Sequence, residues 1–260
     1  MENFSLKYGK NEIAIAIDGA RSVQTLTENP MNTIEDIHAA FLKAITEDTI
    51  ESPALKQLVA SDDKITIIIS DMTRFWMHQD IICEELVRYL NEAIGIPFEH
   101  IVVLIGLGTH HKNTPADQKV LTGAYVYDHV AAVVDHDCDA PDLVDIGTTS
   151  YGTRVLINPL AVGRKVICIG GTVHHLMAGY GGGRKSIVPG IAVKLSGTTM
   201  PWPWILTASK AIRESVPANS TITRSMKTCA KQVHCFIRSS ASILLSTPLP
   251  DTAVFSAVTS

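Results

Sequence analysis

The chain has 260 residues, of which 46% are hydrophobic and 18% charged, enough for one large or two modest domains with a buried core. A formal net charge of −4 and an isoelectric point near 6.2 give no reason to expect nucleic acid or an anionic membrane as a partner. No apolar run approaches the ~20 residues of a membrane span, and the first residues, MENFSLKYGKNE, lack the pattern of a secretory signal. We therefore expect a cytoplasmic protein without a membrane or nucleic-acid partner.

The cysteines indicate a reducing compartment. They are odd in number, widely spaced and without a CxxC pair, so we expect reduced thiols and neither a disulfide framework nor a zinc site. The five positions are Cys83, Cys138, Cys168, Cys229 and Cys235.

Apolar periodicity predicts alternating strands and helices. Continuous β-branched runs such as KITIII and IVVLI are typical of strands that are buried on both faces of a parallel sheet. We expect an α/β fold, Rossmann-like, with a mostly parallel sheet and flanking helices. The predicted strands are Glu12–Ile17, Lys64–Ile69, Ile101–Ile105, Val130–Val134, Arg154–Ile157 and Lys165–Gly170, and the predicted helices are Asn32–Ile45, Asp80–Ile94 and Thr114–Leu121.

Polar clusters follow three of these strands. SDMTR (Ser70–Arg74) follows the second strand, GLGTHH (Gly106–His111) follows the third, and Gly171–Gly190 follows the last. Ligands of such folds bind beyond the carboxyl ends of the strands. We therefore expect the three clusters to face one crevice.

The last cluster contains three consecutive glycines, Gly181, Gly182 and Gly183, followed by Arg184 and Lys185. Such a loop can turn successive backbone N–H groups towards an anion, and the basic side chains add charge. The alternative is a flexible surface turn followed by solvated basic residues. The buried strand just before it favours a ligand-binding loop.

The composition changes after Ala192. Residues 193–260 contain 20 Ser or Thr among 68 residues, whereas residues 1–192 contain 21 among 192. The first part has 15 basic and 24 acidic residues, a balance of −9, and the tail has 7 and 2, a balance of +5. Without periodic apolar patterning, the tail is expected to be poorly ordered.

From Phe4 to Ala192 the sequence resembles the N-terminal domain of the nickel-pincer lactate racemase family. The resemblance rests on SD-x-TR, G-T-H and H-x-x-A-G-Y-x-G-G-R-K-x-x-x-P-G, which occur here in that order at the predicted strand ends. It implies racemisation or epimerisation of a 2-hydroxy acid such as lactate by proton-coupled hydride transfer. It also implies proteins that synthesise the cofactor as partners.

The resemblance implies a cofactor and its binding residues. The cofactor of the family is a nickel-bearing pyridinium mononucleotide with sulfur arms, and the lysine that carries it covalently matches Lys185. Thr73 and the loop of Gly181, Gly182 and Gly183 match candidates for holding the nucleotide phosphate.

The resemblance also assigns the catalytic side chains. The two proton-exchanging histidines match His110 and His175, and the substrate-binding pair matches Asp71 and Arg74. The residue types suit this chemistry because imidazole both takes and gives a proton near neutral pH. A guanidinium binds a carboxylate through two hydrogen bonds, and a carboxylate can orient an imidazole or a guanidinium.

The family pattern ends near Ala192. A nickel-binding histidine is expected near Met200, but no histidine occurs between His175 and His234, so no metal ligand is assigned. We interpret residues 193–260 as a truncated or frameshifted second domain, because codons for Met200–Trp204 can encode a family-like segment in a shifted frame. The chain as written is then expected to be impaired.

Two other functions stay open. A non-catalytic domain that binds a nucleotide or phosphate would use the same glycine-rich loop. A hydrolase or lyase would use the histidines with an ordinary divalent metal, although no H-x-E spacing accompanies them.

Overall fold

The computed structural model describes residues 2–8, 10–24, 34–50, 52–148, 154–172, 174–175, 179–194, 242–247 and 256–259. The chain divides into two compact units, Met1–Met31 and Asn32–Ser260. Each unit has its own strands.

The first unit is a β-hairpin. Strand β1 (Glu2–Tyr8) pairs antiparallel with β2 (Asn11–Ile17). Phe4 lies opposite Ile15 and Leu6 opposite Ile13, so these apolar residues share one face of the hairpin. The sequence predicted β2 but not β1, in which single apolar residues alternate with polar ones.

The second unit contains helices and strands in alternation. The helices are α1 (Ile37–Thr46), α2 (Leu55–Leu58), α3 (Gln79–Arg88), α4 (Pro115–Thr122) and α5 (Ala124–His129). The strands are β3 (Ile65–Ser70), β4 (Ile101–Gly106), β5 (Ala132–Asp135), β6 (Val144–Thr148), β7 (Arg154–Ile157), β8 (Lys165–Gly171), β9 (His174–His175), β10 (Gly179–Tyr180), β11 (Ser242–Thr247) and β12 (Ser256–Thr259). Short 3₁₀ turns cover Met72–Met77, Phe98–His100, Pro159–Ala161 and Gly183–Ser186, and a π-helical turn, Tyr89–Ala93, continues α3.

The central sheet has six strands in the order β12-β11-β8-β3-β4-β5. All neighbouring pairs from β11 to β5 are parallel, and only β12 runs antiparallel to its neighbour. The predicted α/β fold with a mostly parallel sheet is therefore confirmed.

Strand β3 is buried on both faces, as its β-branched run predicts. Ile65, Ile67 and Ile69 pack on one face with apolar residues of α1, α3, α4 and α5. Ile68 packs on the other face, which is covered by β7 and by residues 187–192. The polypeptide that follows the glycine-rich loop is thus part of the core.

In the second unit, the predicted strand Arg154–Ile157 lies outside the main sheet. Strand β7 pairs antiparallel with β6, which the sequence did not predict. Only residues 149–153 separate these two strands. A connection between parallel strands needs a crossover of a dozen or more residues. A link of this length can therefore join the two strands only as antiparallel neighbours.

Two segments of the tail form strands that the sequence patterns did not predict. Strand β11 extends the sheet beside β8, and β12 pairs with β11. The other residues after Lys194 lie outside the described residues, so the poor order of the tail stays a prediction.

The described cysteines are free thiols. Burial raises the pKa of both the Cys83 and the Cys168 thiol to about 12, so each behaves as a small apolar side chain. Cys229 and Cys235 lie outside the described residues. Within the part of the chain that the structure describes, none of the helices has the length and apolar content needed to cross a lipid bilayer.

Candidate functional site

Strands β8, β3 and β4 are consecutive in the sheet and parallel. Their carboxyl ends therefore lie at one edge, and the three polar clusters begin there. The strand ends at which the clusters begin thus lie side by side, and the crevice that the clusters were expected to share stays a prediction.

Asp71 is the centre of a hydrogen-bond network at this edge. It directly follows β3, and only 3% of the residue is exposed. Its Oδ1 atom accepts hydrogen bonds from the Thr73 backbone N–H at 3.1 Å and the Thr73 hydroxyl at 2.5 Å, and Arg74 Nη1 lies 3.4 Å away. The carboxylate thus caps the 3₁₀ turn Met72–Met77 and orients the guanidinium.

His110 contacts the same carboxylate from the segment that follows β4. Its Nδ1 atom is hydrogen-bonded to Asp71 Oδ2, and its backbone N–H donates to the Leu107 carbonyl at 3.0 Å. The imidazole is 46% exposed, whereas the carboxylate is 4% exposed. A proton on Nδ1 would be held by the buried Asp71, which leaves Nε2 as the acceptor at the surface.

Thr73 bridges the carboxylate and the arginine. Its hydroxyl donates to Asp71 and accepts a hydrogen bond from Arg74 Nη1 at 3.0 Å. A phosphate at Thr73 would therefore have to share this hydroxyl with Asp71. The exposed side chain of Thr73 leaves room for such a ligand.

The glycine-rich loop and the residues that follow it, up to Gly190, cross the ends of β4 and β8. The Gly190 carbonyl accepts a hydrogen bond from the Gly108 N–H at 2.9 Å, two residues before His110. At the other side, Gly182 has φ 68°, and a Cβ built on it would lie 2.8 Å from the Gly171 carbonyl oxygen. A Cβ on Gly190 would in turn lie 2.1 Å from the Ser186 carbonyl oxygen, so both Gly182 and Gly190 must lack a side chain.

Lys185 lies within this loop, in the 3₁₀ turn Gly183–Ser186. Its backbone N–H donates to the Gly182 carbonyl and its carbonyl accepts from the Gly190 N–H, both at 3.1 Å. Lys185 is partly buried and Arg184 is exposed. Because the loop packs on the ends of β4 and β8, Lys185 belongs to the same edge of the sheet as Asp71.

Among the three glycines, Gly182 and Gly183 have positive φ, at 68° and 51°. Gly181 precedes them and is partly buried. The loop therefore uses left-handed backbone at the second and third glycine, a conformation that glycine adopts without steric cost. Whether it binds a phosphate stays a prediction.

His175 lies in the short strand β9, where it pairs with Gly179 of β10. This small hairpin lies between β8 and the glycine-rich loop in the chain. The His175 side chain lies outside what the structure describes, so its distance from His110 stays a prediction.

Two residues that the sequence patterns did not identify hold the site loops in place. The Asp135 carboxylate at the end of β5 accepts hydrogen bonds from the Asn113 N–H at 2.6 Å and from its amide at 3.0 Å. His136 is buried, and its Nε2 is 3.0 Å from the Ala192 carbonyl, which follows the glycine-rich loop. Burial lowers the pKa of His136, and the bond to Ala192 opposes this shift. Their position at the carboxyl end of β5 is the sequence signal that could have identified them.

Among the described residues, one group of potential metal ligands has atoms within 4.8 Å of one another, Asp137, Cys138 and Asp139. It contains no histidine, and Lys112 Nζ already pairs with Asp137 at 2.8 Å. The group therefore gives no support to a hydrolase or lyase that uses the histidines with a divalent metal.

Comparison with known proteins identifies the family. The family model described as "Lactate racemase N-terminal domain" matches residues 8–198. The chain belongs to this family.

Two curated relatives are named lactate racemase. The protein from Thermoanaerobacterium thermosaccharolyticum is 29% identical over 198 residues, and that from Lactiplantibacillus plantarum is 28% identical over 199 residues. Each match covers 74% of this chain and 45% of the relative. The chain therefore spans about half the length of the lactate racemases it matches.

Solved structures agree with the fold of the lactate racemase N-terminal domain family. The apoprotein of the T. thermosaccharolyticum lactate racemase superposes with a TM-score of 0.63 and 22% identity, covering 99% of this chain and 58% of that one. A protein from Thermotoga maritima superposes with a TM-score of 0.61 and 17% identity, covering 79% of this chain and 51% of that one.

Proposed function

We propose that this chain is the cofactor-binding domain of a 2-hydroxy-acid racemase or epimerase that acts on lactate or a similar small substrate. The observation that carries the proposal is the network in which Asp71 holds His110 and Arg74 at adjacent strand ends. The loop that contains Lys185 packs on the same edge of the sheet.

His110 is proposed to exchange the proton of the substrate hydroxyl. With Nδ1 bound to Asp71, the exposed side of the ring presents Nε2 as a base, and the same atom can return the proton. Each enantiomer presents its hydroxyl differently, so a second base is needed, and His175 is proposed for that role.

Arg74 is proposed to bind the substrate carboxylate. Its side chain is 32% exposed while its Nη1 is held by Asp71 and Thr73. A guanidinium held on one edge is oriented before the substrate arrives, which reduces the entropy lost on binding. Asp71 is proposed to orient both Arg74 and His110.

The residues fit part of the expected cofactor, a nickel-pincer pyridinium mononucleotide. Lys185 would carry it covalently, and the left-handed glycines with Thr73 would hold its phosphate. When bound, this group supplies an acceptor for the hydride of the substrate C2 carbon. Nickel prefers imidazole and soft sulfur ligands, and the imidazole ligand expected near Met200 is missing from the sequence. We therefore propose that the lysine attachment is retained and that nickel retention and turnover are impaired.

The tail is proposed to be the out-of-frame remainder of a second domain that brings further substrate contacts in the family. The shift in composition after Ala192 supports this, and the family match ends at residue 198. Resequencing codons 190 to 260 tests it. A restored reading frame with a histidine codon near Met200 is expected, and the same tail in independent isolates would contradict the proposal.

The second candidate is a non-catalytic domain that binds a nucleotide or phosphate. The missing nickel ligand near Met200 favours it. It would use the glycine-rich loop without chemistry at His110 or Lys185.

The deciding assay uses the full chain produced together with the cofactor-biosynthesis proteins. L-lactate is added and D-lactate is measured, with the T. thermosaccharolyticum enzyme as positive control. Slow formation of D-lactate that is lost in His110→Ala supports the racemase. If no D-lactate forms and the chain binds nicotinamide mononucleotide reversibly, the result supports the second candidate. If no D-lactate forms but the chain carries a covalent nucleotide, the result supports the impaired racemase. If the chain shows no turnover and binds no nucleotide, both candidates are overturned.

A further inference from the structure

We propose that Gln79 is a positioning residue of the site: its side-chain amide fixes the end of β3 and thereby places the Asp71 carboxylate between His110 and Arg74. The catalytic role given to Asp71 rests on the proposed racemase function. The claim that Gln79 positions Asp71 is independent of that function.

Gln79 is the first residue of α3 and is completely buried, with 0% exposure. Its Oε1 accepts a hydrogen bond from the Ser70 backbone N–H at 2.9 Å, and its Nε2 donates to the Ser70 carbonyl at 2.5 Å. The side-chain amide therefore pairs with both backbone groups of one residue, as a neighbouring strand would.

Ser70 is the last residue of β3, and it needs such a partner. On one side it lies opposite Gly106 of β4. On the other side, the pairing of β3 with β8 ends at Ile68 and Cys168, two residues earlier. A buried backbone N–H or carbonyl without a partner destabilises the fold, and the side-chain amide of Gln79 supplies that partner.

The chain between Ser70 and Gln79 forms a closed loop that contains the network residues. Asp71 begins it, Arg74 N–H donates to the Asp71 carbonyl at 3.0 Å, and the 3₁₀ turn follows. His78 then adopts left-handed backbone with φ 47°, which reverses the chain and returns Gln79 to the strand end. The two hydrogen bonds from Gln79 to Ser70 thus close the loop at its base.

Displacement of Ser70 would move the Asp71 carboxylate directly, because the two residues share a peptide bond. Asp71 Oδ1 and Oδ2 contact different partners, so a shift of the backbone disturbs the contacts to Arg74 and His110 together. Gln79 itself has no exposed surface with which to contact a ligand. It acts on the site only through the strand end.

The test compares Gln79→Leu with Gln79→Glu in the full chain. The leucine variant fills the space but leaves Ser70 unpaired. The introduced carboxyl group of the second variant can replace both hydrogen bonds while it is protonated, and burial favours that neutral form. Once ionised it can no longer donate to the Ser70 carbonyl.

The readout is the nitrogen-bound proton of the His110 imidazole, followed by NMR between pH 5 and pH 8 without cofactor. The wild type is expected to keep the resonance of a proton shared with Asp71, and Gln79→Leu is expected to lose it. Gln79→Glu is expected to keep it at low pH and lose it reversibly at high pH. Asp80 is half-buried, with its pKa raised by burial, and is present in all variants, so the wild-type titration accounts for it.

Asn91→Ala provides the control. The Asn91 side chain donates to the Ile96 carbonyl at 2.9 Å at the far end of the same helical segment, so this variant loses a similar hydrogen bond without touching β3. It should lose stability and keep the His110 resonance. An unchanged resonance in folded Gln79→Leu, or equal loss in Asn91→Ala, would overturn the proposal. A resonance that responds to Gln79 in a protein that shows neither racemase activity nor nucleotide binding would refute the proposed function alone.

Discussion

The Nδ1 atom of His110 and the Oδ2 atom of Asp71 are hydrogen-bonded although 39 positions separate the two residues in the chain. The contact exists because β3 and β4 are parallel neighbours whose carboxyl ends lie at one edge. A buried carboxylate at this position can orient the imidazole and the guanidinium of Arg74 together.

Replacing Asp71 separates its capping role from its charge. Asp71→Asn should change the free energy of unfolding little, because asparagine caps a helical turn as well as aspartate does. Asp71→Ala should lose about 1–3 kcal/mol, because the Thr73 N–H and the Arg74 guanidinium lose their partner. Urea denaturation measures both values.

The same pair of variants tests how the His110 ring is oriented. In Asp71→Asn the amide can accept from or donate to Nδ1, so ¹⁵N NMR should show a mixture of imidazole tautomers where the wild type has one. A single tautomer in Asp71→Asn would argue against orientation by the carboxylate.

Gly182→Ala should disrupt the glycine-rich loop, because the new Cβ would lie 2.8 Å from the Gly171 carbonyl oxygen. Gly163→Ala is the matched control, since Gly163 has φ 69° but a Cβ added there would meet nothing within 4 Å. Both variants carry the cost of left-handed backbone, about 1–2 kcal/mol, and only Gly182→Ala adds a steric clash. Thermal unfolding should therefore show the larger loss for Gly182→Ala, and equal losses would mean that the loop does not pack on β8.

The buried His136 predicts a pH dependence of stability. Burial lowers its pKa in the folded state, so below the ordinary value of about 6.5 the unfolded chain binds the proton that the folded chain excludes. The free energy of unfolding should therefore fall as the pH falls from about 6.5 towards the folded-state pKa. Urea denaturation at several pH values should show a smaller fall in His136→Gln.

His38 supplies the opposite case. Its pKa is raised by the hydrogen bond and charge of Glu85, so its contribution to stability is present at low pH and is lost as the pH rises through the folded-state pKa. His38→Gln should therefore change the pH profile with the sign opposite to that of His136→Gln. If both substitutions changed the pH dependence of stability in the same direction, the opposite pKa shifts given to His38 and His136 would be contradicted.

Arg164 should stabilise the fold without acting on the site. Its guanidinium donates to the Thr66 hydroxyl at 2.8 Å and to the carbonyls of Ile65 and His100 at 2.7 and 2.8 Å, at the amino ends of β3 and β4. Arg164→Lys cannot make all three bonds and should lower the free energy of unfolding by about 1–3 kcal/mol. The His110 imidazole resonance of the folded variant should stay unchanged, and its loss would link this end of the sheet to the site.

The sequence predicted the parts of this molecule that depend on local patterns and on the rule for strand ends. The β-branched run of β3 indicated a buried parallel strand, and the polar residues that follow it and β4 indicated a shared edge. Local sequence patterns do not show which buried polar side chains will hydrogen-bond to backbone groups elsewhere in the chain. Gln79 and His136 were missed for this reason, since their partners, Ser70 and Ala192, are defined only by the fold.

The pairing of β6 with β7 illustrates the same limit. The apolar run of β7 predicted a strand correctly, but a strand's partner depends on the length of the connection and on the neighbouring strand, which here carries only two apolar residues, Val144 and Ile146. Strand β11 has three consecutive apolar residues within a segment rich in Ser and Thr, and it was missed because the surrounding composition obscured it.

The most direct measurement is peptide mapping by mass spectrometry of the chain produced together with the cofactor-biosynthesis proteins. We predict a covalent pyridinium mononucleotide on Lys185, and its absence in Lys185→Arg. The neighbouring lysines Lys165 and Lys194 should stay unmodified in both proteins. An unmodified Lys185 in the wild type, or an adduct on another lysine, would contradict the proposed cofactor site.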